Sequence, residues 1–209
     1  MRRRAGVVKK LVVAGCAIAW MISVQALAED ANSAATAEGI ATSTCQNCHG
    51  PQGNSVSATF PRLNGQQADY IAAQLNNFRS HGRSDPHARA YMWGMASQLD
   101  DKAIAALAQY YANQTPTKPQ TGGALAAQGA ALFANGVPAQ NIPACQSCHG
   151  GHAEGAGVFP RLAGQHSDYL KKQLEAFRSS LRESDVMHVE SKDMTDSQIE
   201  ALVSYLGND

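Results

Sequence analysis

The chain has 209 residues, enough for one or two small domains, and only 6% of them are aromatic and 16% charged. Such a composition supports a modest core, which a large bound group would help to fill. Beyond residue 28, twelve basic residues face seventeen acidic ones, a net charge of −5 that removes any electrostatic case for nucleic-acid binding.

Residues 1–28 read as an export leader: a basic start (MRRRAGVVKK), an apolar run (LVVAGCAIAWMISVQ) and a small-residue cleavage site ending at Ala28. The apolar run is short for a membrane span. Val13-Ala14-Gly15-Cys16 resembles a lipoprotein cleavage box, but few apolar residues precede it and the apolar stretch continues past it, which argues against a lipid on Cys16. The expected mature chain starts at Glu29 and is exported.

A helix is predicted over 33–45, leading into CQNCHG at 45–50. The segment FPRLNGQQADYIAAQLNNFRS follows at 60–80, with Ile71, Leu75 and Phe78 spaced i, i+4, i+7 on one helical face. A further helix starts at Asp100 or Asp101 and runs to about Asn113. NQTPTKPQTGG (113–123) has the Pro, Thr and Gly content of an exposed linker. The pattern then repeats: a helix over 122–136, CQSCHG at 145–150, and FPRLAGQHSDYLKKQLEAFRS at 159–179, identical to the first copy at 13 of 21 positions. The last helix opens on a capping box, Thr195 to Gln198, and stops at Gly207. The expectation is an all-α protein of two tandem units, 29–118 and 119–209, each with three or four short helices.

Paired cysteines in an exported chain fit disulfides, a zinc site or covalent haem c. The residue after each pair decides: neither a disulfide nor a zinc knuckle needs a histidine there, yet His49 and His149 both occupy it. On a helical turn the thiols of Cys45 and Cys48, or of Cys145 and Cys148, would hold the porphyrin edge, with the adjacent imidazole beneath the iron. Two haem c groups are therefore expected.

The sixth ligand separates a carrier from an enzyme, because an iron with two strong protein ligands mostly exchanges electrons. The methionines beyond the leader are Met92, Met95, Met187 and Met194. Anchored on the last helices, Met92 and Met187 each lie seven residues before a matched pair, Leu99 and Met194, whereas Met95 faces Glu190. Only Met92 and Met187 recur, so they are the expected distal ligands; His188 beside Met187 faces Trp93, which cannot ligate. His81, His87, His152 and His166 are expected on the surface or in loops. In the FPRL segments, the Pro61 and Pro160 carbonyls are candidates to accept the ring N–H of the proximal histidines. Arg62 and Arg161 are candidates to pair with haem propionates.

This combination resembles the two-haem cytochrome c4 family over nearly all of residues 31–206. The likeness rests on the paired Cys-x-x-Cys-His motifs, FPRL-x-GQ after each, the matched methionines, the linker and the insertion NGVPAQNIPA before the second motif. It implies two class I cytochrome c folds packed about a pseudo-twofold axis, each with a His/Met-ligated haem. It also implies electron transport in the bacterial periplasm, from a quinol-oxidising complex or small carriers towards a cytochrome oxidase, with loose membrane association. An alternative is the cytochrome subunit of a flavocytochrome c-type dehydrogenase. A catalytic role such as thiosulfate oxidation is disfavoured, since the only spare thiol is Cys16 in the leader. Residues 29–118 carry seven acids against six bases and residues 119–209 ten against six. The more negative second half predicts a lower potential for its haem.

Overall fold

The computed structural model describes residues 33–208 apart from 34, 121 and 122. The leader and Cys16 lie outside the described residues. Each repeat folds as a helical unit. In the first, α1 (residues 35–40) tightens into a π-helical turn, Ala41–Cys45, and continues as α2 (Gln46–His49); α3 (Ala68–Arg79), α4 (Trp93–Ala96) and α5 (Asp101–Ala112) follow. In the second, α6 (Gly123–Asn135), α7 (Gln146–His149), α8 (Ser167–Arg178), α9 (Asp185–Ser191) and α10 (Asp196–Leu206) occupy the same order. Among the described residues the extended backbone forms isolated bridges only, one of which, Val137 to Ile142, closes the insertion before the second motif.

Apolar spacing explains which faces meet. In α3, Ile71 and Phe78 are buried and Leu75 half-buried, and the helix packs on α5 through Leu107, Ala108 and Tyr111. In the second unit, α10 packs on α6 and α8, burying Phe133, Leu170, Ile199 and Leu202. The closest approach is at Gly129, where an added Cβ would run into the Ala201 carbonyl. The helix ends follow their caps: Asp100 accepts from the Ala103 amide at 2.8 Å to start α5, and Thr195 with Gln198 forms the capping box of α10. No described helix is long and apolar enough to cross a membrane.

The two units are joined by contacts that recur with the partners exchanged. Gln165 accepts from the Arg62 amide at 2.8 Å and donates to its carbonyl at 3.0 Å; Gln66 accepts from the Arg161 amide at 2.7 Å and donates to its carbonyl at 2.9 Å. His166 Nε2 lies 3.1 Å from the Ser55 carbonyl, and Gln67 donates to the Glu154 carbonyl at 2.8 Å. His166 lies in a loop, one of its two expected settings, but not on the surface: it is 3% exposed, wedged between the units, because its repeat position is an interface position. His81 and His152 are exposed, and His87 is half-buried.

The centre of this interface is polar. Arg83 donates to Gln74 at 3.0 Å and, across the interface, to Gln173 at 2.9 Å; Arg182 donates to Gln173 at 2.6 Å and, across it, to Gln74 at 2.9 Å and Tyr70 at 3.0 Å. Each guanidinium also lies over the phenylalanine of its own unit, Phe78 at 4.8 Å and Phe177 at 4.5 Å. The symmetry breaks at one charge: Arg83 pairs with buried Asp85 at 2.8 Å, whereas Ser184 follows Arg182 at the same spacing. Burial acts to raise the Tyr70 hydroxyl, but the Arg182 and Arg83 charges outweigh it and hold the group below the ordinary tyrosine value.

Candidate functional site

The Cys-x-x-Cys-His motifs sit where a helix turns. The amides of Cys148 and His149 both bond to the Cys145 carbonyl, at 3.3 and 3.0 Å, so the pair and its histidine share one turn. Gly50 and Gly150, at φ of 74° and 82°, then end that turn in a conformation glycine adopts without strain. Cys45 and Cys145 are half-buried, Cys48 and Cys148 exposed, and none of the four is in a disulfide. Among the described residues no three His, Cys, Asp or Glu groups converge as a metal cage would need.

Both histidines are buried, each 7% exposed, and each ring is held by its own FPRL segment. His49 Nδ1 lies 2.8 Å from the Pro61 carbonyl oxygen and His149 Nδ1 lies 3.0 Å from that of Pro160. A carbonyl only accepts, so Nδ1 carries the proton and donates, which leaves the Nε2 lone pair free for a metal. Burial holds both imidazoles below their ordinary pKa, against the opposing pull of these bonds, so both stay neutral and able to ligate. Two unpaired thiols one turn from a neutral, oriented imidazole fit covalent haem c.

The two methionines lie on matched segments after α3 and α8. Met92 ends the π-helical turn Ala88–Met92 and packs, half-buried, against Phe78, Ala88 and Ala96. Met187 lies half-buried in α9, its amide donating to Ser184 Oγ at 3.2 Å and its carbonyl accepting from Ser191 Oγ at 2.6 Å. Met95 is 55% exposed, and Met194 is core filler at 6%. His188 Nδ1 is 2.9 Å from the Phe177 carbonyl, and its counterpart Trp93 donates to the Arg83 carbonyl at 2.8 Å, so both rings serve as loop ties. In the first unit Phe60 connects the two walls: its ring meets His49 at 6.1 Å and Tyr91, the neighbour of Met92, at 5.3 Å. Phe159 meets His149 at 6.5 Å in the second.

The two FPRL arginines differ. Arg62 donates to the carbonyls of Ser55 at 3.2 Å, Gly164 at 2.7 Å and Asn208 at 2.6 Å, which makes it a tie between the units. Arg161 Nε is buried without a partner, and the bond its guanidinium makes to the Thr117 carbonyl is long at 3.4 Å. A second asymmetry lies at the thiols. Tyr111 belongs to the cluster that Cys45 packs against, whereas Leu206 takes that place beside Cys145 in the second unit. The interface residues Gln66, Tyr70 and Gln74 were visible as identities between the repeats, but identity did not say that the copies face each other.

The cytochrome c family model matches this chain twice, at residues 34–114 and 126–208. Cytochrome c4 of Thiocapsa roseopersicina is 38% identical over 188 residues, 87% of this chain and 95% of that protein. The thiosulfate dehydrogenase electron acceptor of Stutzerimonas stutzeri (strain A1501) is 37% identical over 200 residues, 91% of each. Among solved structures, Acidithiobacillus ferrooxidans cytochrome c4 superposes with a TM-score of 0.73 at 40% identity, covering 78% of this chain and 96% of that one.

Proposed function

This chain belongs to the cytochrome c family and is a di-haem electron carrier rather than an enzyme; we propose that it works in the periplasm, after removal of residues 1–28, passing electrons towards a terminal oxidase. The observation that carries the reading is the duplicated Cys-x-x-Cys-His turn, with each histidine ring fixed by a proline carbonyl. The two covalently bound haem c groups supply one-electron exchange, while the chain supplies ligation, burial and spacing. Cys45, Cys48, Cys145 and Cys148 form the thioethers. His49 with Met92, and His149 with Met187, would hold the two irons. Arg161, whose Nε lacks a partner, is the FPRL arginine that suits a propionate, since Arg62 is committed to backbone carbonyls.

The donor is proposed to be a quinol-oxidising complex or a small carrier, and the protein to associate loosely with the membrane. Likeness to a thiosulfate dehydrogenase electron acceptor supports a second reading, in which a dehydrogenase is the donor. The test is reoxidation of the reduced protein in air. With membranes containing a terminal oxidase, both haems are expected to reoxidise rapidly and cyanide to block it. No acceleration by the membranes contradicts the oxidase assignment. Thiosulfate is expected to leave the protein oxidised unless a catalytic dehydrogenase subunit is added; reduction that needs that subunit supports the second reading.

A further inference from the structure

The two matched methionine segments differ three residues past the methionine. Met95 in the first unit is replaced by Glu190 in the second, and the two side chains are placed differently. Met95 is 55% exposed, whereas Glu190 is half-buried and its Oε2 is enclosed without a hydrogen-bond partner.

Its place on the helix locates this carboxylate. Glu190 lies three residues after Met187 on α9, and residues three apart on a helix are neighbours on one face. The carboxylate therefore stands one turn from the distal methionine of the second centre, where the first unit has the neutral side chain of Met95.

We propose that Glu190 sets the second haem at the lower of the two reduction potentials. Oxidising the iron leaves one more positive charge in the pocket, which a nearby carboxylate with an enclosed, unpartnered oxygen stabilises. Charge is felt more strongly there than at the water-exposed surface. In the half-reduced protein the single electron then rests on the first haem, and internal transfer runs from the second unit to the first. The expectation from the net charge of the second half thereby gains a specific cause. The inference rests on the reading of His149 and Met187 as that haem's axial pair.

The test is a redox titration of the full-length protein and of Glu190→Gln, which keeps the shape and removes the charge. The two haems are followed separately through the methyl NMR signals of their coordinating methionines. Glu190→Gln is expected to raise the reduced-to-oxidised ratio of the second haem, at fixed ambient potential, by about three- to tenfold. That is about 30 to 60 mV for a one-electron couple, and the first haem should be nearly unmoved. Glu183→Gln removes an exposed carboxylate from the same unit and is expected to shift the second haem by less than a third as much. An unchanged second midpoint in Glu190→Gln, or an equal shift in Glu183→Gln, overturns the proposal. The ferric far-red methionine–iron absorption tests the ligand reading separately: its absence in the unmodified protein removes the axial pair, and with it the basis of this inference. Its presence beside an unshifted midpoint rejects Glu190 alone.

Discussion

Met187→Ala is expected to open one haem iron to carbon monoxide and leave the other closed. The residue is half-buried in α9 and is not part of the apolar cluster of Phe133, Ile199 and Leu202, so its truncation should spare the second unit's core. On the proposed ligation, removal of the thioether would leave the second iron with His149 alone, and such an iron accepts external ligands. About half of the reduced haem should then bind carbon monoxide, and the ferric far-red methionine–iron absorption should fall by about half. The potential of that haem should fall too, because methionine favours the ferrous state. Met92→Ala is expected to do the same at the first centre. Optical titration with carbon monoxide reads both variants, and a Met187→Ala protein that still ignores the gas contradicts the assignment.

The second large effect is on stability. Arg83→Ala should cost about 3–5 kcal/mol, because it leaves the Asp85 carboxylate buried without its cation. Gln74 and Gln173 lose a charged donor at the same time. Arg182→Ala removes equivalent hydrogen bonds but strands no carboxylate, so a smaller loss of about 1–3 kcal/mol is expected. The double variant Arg83→Ala, Asp85→Asn should recover part of the Arg83→Ala loss. Denaturant unfolding of the haem-loaded proteins, followed by far-ultraviolet circular dichroism, gives these differences. Equal losses for Arg83→Ala and Arg182→Ala would show that the ion pair contributes nothing beyond the hydrogen bonds.

The duplication made the helical architecture legible, because each helix could be read twice. The capping box at Thr195 and the stop at Gly207 stand where the residue pattern put them, since caps are local chemistry. The histidine-to-proline carbonyl bonds were also foreseeable, from an FPRL segment repeated after each motif at a spacing that differs by one residue. What the sequence concealed lies between the units. The burial of His166 and the ties of Arg62 to the other unit were not legible, because a single chain read in order shows no second surface. Their neighbours across the interface are about a hundred residues away in sequence, and only the packed pair shows that Gln165 and Gln66 exchange bonds with the opposite FPRL backbones. Glu190 was visible as the mismatch to Met95, but the enclosure of its oxygen depends on how α9 packs in the folded unit.

The central claim is that both irons are closed by a histidine and a methionine, which makes the chain a carrier. Absorption spectra of the purified protein, oxidised and reduced, with and without carbon monoxide, test it most directly. The account predicts a reduced spectrum indifferent to carbon monoxide and a ferric far-red methionine–iron band with the amplitude of two haems. Ready binding of carbon monoxide by either haem of the unmodified protein would contradict it and restore an open, ligand-binding iron.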